Sequence, residues 1–412
     1  MAALKYWVWL SCLKGLRPAT AVRLCASMGG PEKIYFASRE DLLLAGATEK
    51  EAERLADRSL AGAAAAMEAC AAAGIRILTL ADAEYPDRLK NIYDPPPVLY
   101  VRGTLPHIDE EAAVAVAGTR KCTPYGLRMA ERIGFEMARE GCLTVSGLAR
   151  GIDTAAVRGA LKAGGRTVGV IGSGPDVIYP PENRELFEDV AASGAILSEY
   201  PPGTEPAPWH FPARNRILSG LSVGVVIIEA PEKSGALITA ARALEQGRDV
   251  FALPANADSP FSAGSNRLIR AGAIPILNGS DVADEYRALY PEKLTEHGPY
   301  ALTPEPPDGS EGSPAGNGQT GDEKRSAEGK IPVDNEKSAE YDKLPRIAAP
   351  LPDLSPDERA IYESLTEPEM HVNDLIERTA LPGGRVLAAL TLLEIRGLIR
   401  RCPGQRFERR TE

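Results

Sequence analysis

The chain has 412 residues, enough for two or three domains, and its 44% hydrophobic content is ordinary for a globular protein. Six cysteines occur without a C-x-x-C pair and only four histidines are present, which argues against a disulfide framework, a zinc site and histidine-based catalysis, and favours a reducing, cytoplasmic location. The net charge of −10 argues at first against a nucleic-acid partner, but whole-chain charge is a poor guide when acidic residues concentrate in linkers.

The N-terminal region, residues 1–80, is rich in alanine and predicts a small helical domain that includes one long helix over residues 48–73. Its first segment carries Lys5 and Lys14 and lacks a small-residue cleavage site, so it predicts a helix and not a signal peptide. No apolar run is long enough for a membrane span. The turn at residues 13–18 loosely resembles a SAM or helix-hairpin-helix element, although a plain helical packing module is the stronger interpretation.

Residues 81–290 alternate short apolar strands with helices. Continuous apolar strands of this kind are typical of a parallel sheet that is covered by helices on both faces. The predicted strands are residues 114–117, 143–145, 167–171, 195–197, 223–228, 249–253 and 274–277. The predicted fold class is therefore α/β, with a Rossmann-like parallel core.

The segment FPARNRILSGLS, residues 211–222, is the most distinctive part of this domain. Arg214 and Arg216 flank Asn215, a serine- and glycine-containing turn is predicted after them, and an apolar strand follows. A guanidinium group presents a planar fork of donors that suits phosphate, and Asn215 adds a neutral donor and acceptor. The segment therefore predicts an anion-binding site, with two solvated surface arginines as the alternative.

Other polar loops also follow predicted strands, where ligands of doubly wound sheets bind. Small residues let a ligand approach the backbone, and helix N-termini favour anions, so these loops together predict a phosphate-binding surface. The candidate residues are Gly118, Arg120, Ser146, Gly147, Gly172, Ser173 and Gly174, with Ser234 and Gly235 in a further loop. Neither G-x-G-x-x-G nor a Walker motif is present, which disfavours dinucleotide binding and ATP hydrolysis.

Four carboxylates in this domain could be proposed as acid–base groups: Asp153, Asp176, Glu199 and Glu229. Nothing in the sequence pairs them with a nucleophile or a base, so hydrogen bonding at a helix start or a strand end is the stronger interpretation. The sequence also lacks a serine–histidine–acid order, a nucleophile elbow and a metal-ligand spacing. We therefore predict no catalytic residue, no metal and no cofactor.

Two further segments complete the chain. Residues 291–350 are dominated by Pro, Gly, Ser and charged residues and predict a disordered linker. Residues 351–412 predict a winged-helix domain, with helices at 358–365, 372–379 and 384–396 and a two-stranded wing with a Pro-Gly turn. Residues 385–410 contain seven arginines and two glutamates, so the local net charge is 7 − 2 = +5.

Several motifs occur in an order that resembles the DNA-processing protein DprA family, also called Smf. The motifs are VAVAGTRKCTPYG (114–126), SGLARGIDTAA (146–156), GSGPDVIYPPEN (172–183), LSEYPPG (197–203), FPARNR (211–216) and SGALITA (234–240). The match runs through about residues 110–275, and the helical N-terminus and the winged helix also fit the family's layout. Two positions depart from it: Val157 stands where a histidine is usual, and Ala255 stands where a glycine is usual.

The resemblance implies a bacterial recombination mediator without catalytic activity. Such a protein binds and protects single-stranded DNA, loads the RecA recombinase in natural transformation, and acts as a cytoplasmic homodimer through its Rossmann-like domain. Carried over by motif, Arg120, Phe211, Arg214 and Arg216 would line the DNA pocket. The residues that would support phosphate contacts are Gly118, Ser146, Gly147, Gly172, Ser173, Gly174 and Asn215.

The residues agree with this function without the resemblance, because single strands are bound by a positive groove together with aromatic faces for the bases. Phe211 could supply such a face or could be a core aromatic beneath the loop. Two alternatives stay open. One is a phosphoribohydrolase-type nucleotide enzyme, although the Pro-Gly-Gly-x-Gly-Thr loop of that class is missing. The other is a transcription regulator that binds duplex DNA through the winged helix.

Overall fold

The computed structural model describes residues 3–295, 354–366, 370–396, 398–402 and 406–409. The N-terminal region is helical, as the sequence predicts. Its helices are α1 (Leu4–Cys12), α2 (Pro18–Met28), α3 (Pro31–Phe36), α4 (Arg39–Leu44), α5 (Glu49–Leu55) and α6 (Ala61–Ala73). They pack around a core that includes Val8, Trp9 and Leu24.

The prediction of one long helix over residues 48–73 is wrong, because the chain breaks between α5 and α6. The Asp57 carboxylate accepts a hydrogen bond from the Ser59 backbone N–H, and the Ser59 hydroxyl accepts one from the Ala61 N–H. Short polar side chains compete in this way with helical hydrogen bonds. The indole N–H of Trp9 also donates to the Asp57 carbonyl oxygen at 2.8 Å, which fixes the break against α1.

A nine-stranded sheet follows, with the order β1-β2-β6-β5-β4-β3-β7-β8-β9. Its strands are β1 (Arg76–Thr79), β2 (Val98–Gly103), β3 (Ala113–Ala117), β4 (Leu143–Ser146), β5 (Thr167–Ile171), β6 (Ala195–Ser198), β7 (Gly224–Ile227), β8 (Asp249–Ala252) and β9 (Ile274–Pro275). Strands β3 to β9 pair in parallel, which confirms the Rossmann-like prediction. The sequence analysis missed β1 and β2, which pair antiparallel and extend the sheet beyond β6.

Helices cover both faces of this sheet. They are α7 (Asp87–Lys90), α8 (Pro124–Arg139), α9 (Ile152–Lys162), α10 (Arg184–Ser193), α11 (His210–Leu221), α12 (Gly235–Glu245), α13 (Ala263–Arg270) and α14 (Ser280–Arg287). Alternate residues of β3 enter opposite cores: Ala113 and Ala115 belong to one hydrophobic cluster, and Val114 and Val116 belong to the other. A strand with apolar residues at every position is therefore buried on both sides.

Helix α11 corrects the prediction made for residues 211–222. The segment is a continuous helix and contains no turn at its serine and glycine. Gly220 lies inside the helix, where an added Cβ would come within 2.7 Å of the Leu89 side chain. The glycine is therefore explained by close packing against α7, and not by a change of chain direction.

The C-terminal described residues form the predicted winged helix. It consists of α15 (Pro356–Ser364), β10 (Met370–His371), α16 (Val372–Thr379), α17 (Gly383–Ile395), β11 (Ile399–Cys402) and β12 (Arg406–Arg409). Strands β11 and β12 pair antiparallel as the expected wing, and β10 adds a third strand that the sequence analysis missed. The Pro-Gly turn of the wing and nearly all of the predicted linker at 291–350 lie outside the described residues.

Helices α8 and α9 approach each other closely through two glycines. An added Cβ on Gly159 would overlap with the Glu131 carbonyl oxygen, and one on Gly134 would overlap with the Ala156 carbonyl oxygen. We expect Gly159→Ala to destabilise the chain by about 1–3 kcal/mol, because overpacking a tight contact forces the backbone to move. The shift of the urea unfolding midpoint, followed by circular dichroism, measures this cost.

Gly62→Ala is the matched control for this substitution. Gly62 also lies in a helix, α6, but an added Cβ meets no atom within 4 Å. Alanine there should be neutral or should stabilise the chain by about 0.5–1 kcal/mol. Equal midpoints for the two variants would contradict the close approach of α8 and α9.

Candidate nucleic-acid interface

A pocket lies at the carboxyl ends of β3, β4 and β5, beside the start of α11. We call it the strand-end pocket. Its lining residues are Arg120, Gly147, Ala149, Arg150, Ile171, Gly172, Ser173, Tyr179, Pro180 and Phe211. Five of the eleven residues predicted for the DNA site line it: Arg120, Gly147, Gly172, Ser173 and Phe211.

Arg120 is exposed, and its guanidinium carbon lies 4.6 Å from the centre of the Phe211 ring. Planar guanidinium groups stack favourably on aromatic faces and keep their edge donors available. Phe211 is half-buried at the first turn of α11, so the ring supports the arginine from below while part of it reaches the pocket. The pair combines a cation and an aromatic face in one place.

The loop that carries Arg120 is fastened by Glu229, at the end of β7. The Thr119 N–H donates to the Glu229 carbonyl oxygen at 2.7 Å, and the Thr123 N–H donates to the Glu229 carboxylate at 2.9 Å. The Thr123 hydroxyl donates to the same carboxylate at 2.5 Å. Glu229 is buried, and Gly126 leaves room for its carboxylate. These bonds hold both ends of the Arg120 loop.

These same contacts fill the crevice between the ends of β3 and β7. Strand order reverses there, since β4, β5 and β6 lie on one side of β3 while β7, β8 and β9 lie on the other. Ligands of open α/β sheets usually bind at such a switch point. Here Glu229 and Thr123 occupy the switch point. The strand-end pocket lies beside it, at the ends of β3, β4 and β5.

Arg150 and Tyr179 line the pocket, and neither was among the predicted site residues. The Arg150 guanidinium is held by both oxygens of Glu182 and lies 6.0 Å from the centre of the Tyr179 ring. The Tyr179 ring centre is in turn 5.7 Å from that of Phe211. A signal existed for both, because each belongs to a motif that already contained candidate residues, SGLARG and GSGPDVIYP.

Arg214 lies beneath the pocket and does not line it. It is 4% exposed, and its guanidinium donates to the Val170 carbonyl oxygen and to the Asn215 side chain. An added Cβ on Gly147 would overlap with this guanidinium, so only glycine fits above it. Burial lowers the pKa of Arg214 to about 10, while nearby Asp153 opposes that shift. Arg214 therefore remains a cation at neutral pH, enclosed by the protein.

Arg216 is directed elsewhere. Its guanidinium binds both oxygens of Glu199, at 2.6 and 2.9 Å, and lies 3.1 Å from an Asp94 carboxylate oxygen. Burial alone would lower the pKa of Arg216, but Glu199 and Asp94 outweigh it and raise the pKa. The structure thus places this predicted DNA ligand in a buried ion-pair network, outside the strand-end pocket.

The other predicted residues support the loops. The buried Ser146 hydroxyl donates to the Val116 carbonyl oxygen, and the Ser173 hydroxyl donates to that of Val177. The Asn215 amide donates weakly to the Gly235 carbonyl oxygen at 3.4 Å. Gly118 and Gly174 allow close packing, since an added Cβ would meet Ile152 or Asp176.

The four carboxylates considered as acid–base groups all have structural contacts. Glu229 and Glu199 bind Thr123 and Arg216, as described above. Asp176 accepts two contacts from the Gly203 N–H, at 2.8 and 3.0 Å. Asp153 lies at the start of α9, where burial raises its pKa and the Arg214 and Arg120 guanidinium groups partly offset the rise.

The two departures from the family pattern have local explanations. Val157 is fully buried in a hydrophobic cluster with Leu148 and Phe187. Ala255 exchanges two hydrogen bonds with the Asn266 side chain, at 3.1 and 3.0 Å, which orders the loop after β8. Neither residue lines the strand-end pocket.

Among residues 3–295 and the described C-terminal segments, no group of three or more His, Cys, Asp or Glu side chains could hold a metal ion. No helix in those same residues is both long and apolar enough to cross a membrane.

The fold and the pocket define a Rossmann-like α/β protein with a cationic, aromatic pocket at its strand ends and a winged helix appended. Residues 76–287 match the family model described as DNA recombination-mediator protein A, and residues 345–405 match the DprA winged helix domain. The chain therefore belongs to the DNA recombination-mediator protein A family, which confirms the resemblance seen in its motifs.

Known members share much of the chain. It is 39% identical to Protein Smf of Synechocystis over 338 residues, which cover 81% of this chain and 80% of that protein. It is 45% identical to the DNA processing protein DprA of Bacillus subtilis over 52% of this chain and 71% of that one. The X-ray structure of DprA from Streptococcus pneumoniae aligns with a TM-score of 0.61 at 34% identity, covering 71% of this chain and 99% of that one.

The different surroundings of Arg216 and Arg120 lead to a prediction about stability. We expect Arg216→Ala to destabilise the chain by about 3–5 kcal/mol, because it leaves the half-buried Glu199 carboxylate without its partner. Arg120→Ala should change stability by about 0.5 kcal/mol or less, since the side chain is on the surface. Urea unfolding of both variants makes the comparison. Equal stability would show that the Glu199 network does not hold α11 in place.

Proposed function

We propose that this chain is a non-catalytic mediator that binds single-stranded DNA in the strand-end pocket. The observation that carries the proposal is the Arg120 guanidinium stacked on Phe211, with Arg150 and Tyr179 beside it. Guanidinium groups pair with phosphate, and exposed rings stack on bases. One pocket thus offers a partner for each of the two groups that a nucleic-acid strand presents, its phosphates and its bases.

Recognition of a single strand is favoured over recognition of a duplex. A base can stack on Phe211 or Tyr179 only when it has left its own stack, and unpaired strands present their bases in that way. The pocket is also built from loops and the start of a helix, and lacks the projecting recognition helix that enters a major groove.

The finer roles rest on membership of the family and on the resemblance. We infer that the chain protects single strands, loads the RecA recombinase during natural transformation or recombination, works in the cytoplasm, and acts as a homodimer through its Rossmann-like domain. Sedimentation velocity at micromolar concentration tests the dimer. Strand exchange by purified RecA on DNA coated with a single-strand-binding protein tests loading, and should depend on Arg120.

The regulator alternative depends on the positive charge of the winged helix, and part of that charge is paired. Arg385 binds the Asp357 carboxylate, Arg396 lies 3.1 Å from Glu358, and Arg400 binds Glu408. The local excess of arginine is thus partly neutralised by acidic residues of the same domain. For the enzyme alternative, Asp153, Asp176, Glu199 and Glu229 are all engaged in the contacts described above.

We expect Arg120→Ala to weaken binding of a fluorescent oligo-dT by about tenfold or more, since a charge-assisted hydrogen bond to phosphate is lost. The slope of log affinity against log salt should become shallower by about 0.7, the value for one phosphate contact on a single strand. Fluorescence anisotropy over a salt series gives both quantities.

Arg270→Ala is the matched control, because Arg270 is an exposed arginine at the end of α13 that does not line the pocket. It should leave affinity and slope unchanged. Equal effects of the two substitutions would indicate that binding depends on general surface charge and not on the pocket. Failure of the wild-type chain to prefer a single strand over a duplex would contradict the proposal, and release of free base from a nucleoside monophosphate would favour the enzyme.

A further inference from the structure

A second and larger cavity, of about 930 Å³, lies on the other side of the start of α11. Its size is within the range of cavities that hold small molecules. The turn after α1, the segment that follows β6 and helix α17 form its walls. Tyr200, Trp209 and His210 all line it, and we call it the aromatic cleft.

Trp209 is the most unusual residue of this cleft because it is 72% exposed. Trp9 is 2% exposed by contrast, and Trp7 is half-buried in the N-terminal region. Tryptophan is enriched at binding interfaces, because its large ring supplies contact area. The rings of Trp209 and His210 are nearly perpendicular, at a centroid distance of 5.8 Å. His210 therefore does not stack on Trp209.

The aromatic cleft adjoins the strand-end pocket. His210 stacks on Tyr200 at 3.9 Å, and its Nδ1 lies 2.9 Å from the Gly172 carbonyl oxygen. Gly172 lines the strand-end pocket, and an added Cβ there would lie 3.3 Å from His210 and 3.4 Å from Phe211. Consecutive residues of one helix start therefore face the two cavities, with Phe211 in the pocket and Trp209 and His210 in the cleft.

The charges in the cleft differ from those in the pocket. Arg216 is bound by Glu199 and Asp94, Arg242 is bound by Glu245, and both arginines line the cleft. Paired guanidinium groups present little net charge to a phosphate. Lys14, in the exposed turn after α1, also lines the cleft, and most of the remaining lining is apolar or aromatic. This surface suits a flat ring.

We propose that the aromatic cleft is a base-binding subsite, in which one nucleobase stacks on Trp209 while a neighbouring phosphate of the same strand is held by the strand-end pocket. The inference rests on the proposed function and deepens it. It divides recognition between two cavities: Arg120 contacts the backbone, and Trp209 contacts a base. Neither contact requires a particular sequence, because every base has a face that can stack.

We expect Trp209→Ala in the full chain to weaken binding of oligo-dT by about 5- to 150-fold, the range for loss of one base–aromatic stack. The salt slope should not change, because no phosphate contact is lost. Trp209→Phe should restore most of the affinity. Phe36→Ala is the matched control, since Phe36 is also exposed, at 63%, but lies in α3 and lines neither cavity.

Intrinsic fluorescence gives an independent readout. Oligo-dT should quench the tryptophan emission of the wild type, and Trp209→Phe should abolish the quenching while the oligonucleotide still binds. An oligonucleotide of abasic sites should bind wild type and Trp209→Ala equally. If the wild type binds oligo-dT with the expected salt slope but Trp209→Ala binds equally well, the subsite is refuted and the proposed function stands. If the wild type binds no single strand, both proposals fail together.

Discussion

The buried guanidinium of Arg214 is the interaction on which the strand-end pocket depends. It extends from α11 to the Val170 carbonyl oxygen near the end of β5 and passes directly under Gly147, in the loop after β4. A buried cation is tolerated only when its donors are satisfied and opposite charge is near, and Asp153 supplies that charge from the start of α9. One side chain therefore links β5, α9 and α11, and so fixes the loop that carries Arg150 and the helix start that carries Phe211.

The geometry of a helix explains why three neighbouring residues of one motif have three different roles. With 3.6 residues per turn, each residue rotates by about 100°, so Arg216 faces about 200° away from Arg214. Phe211 and Arg214 are three residues apart and lie on similar sides of α11, one at the pocket and the other beneath it. Arg216 is directed to Glu199 and Asp94 instead. A linear motif of two arginines thus provides no arginine to the pocket, whose cations come from Arg120 and Arg150.

The sequence predicted the parallel core because its strands are continuous apolar runs, such as residues 114–117, that only a sheet buried on both faces can accommodate. It did not predict β1 and β2, which follow the helical region and pair antiparallel at one edge. Within the site, small residues after strands correctly indicated where loops meet, and Gly147 and Gly172 line the pocket. The roles of Arg214 and Arg216 could not be predicted, because the segment was expected to end in a turn. Only a continuous helix fixes the direction of each side chain.

The neighbours of an arginine in space, and not its neighbours in the sequence, decide where positive charge is available. The winged helix is arginine-rich over residues 385–410, yet Asp357 and Glu358 of α15, outside that window, reach Arg385 and Arg396. In the Rossmann-like domain the reverse holds: among the described residues Arg120 forms no ion pair, and an uncharged ring supports it. An aromatic support holds a guanidinium in place without neutralising it. A chain with a net charge of −10 can therefore still present a cation to a polyanion, because local pairing controls the field at the pocket more than the total charge does.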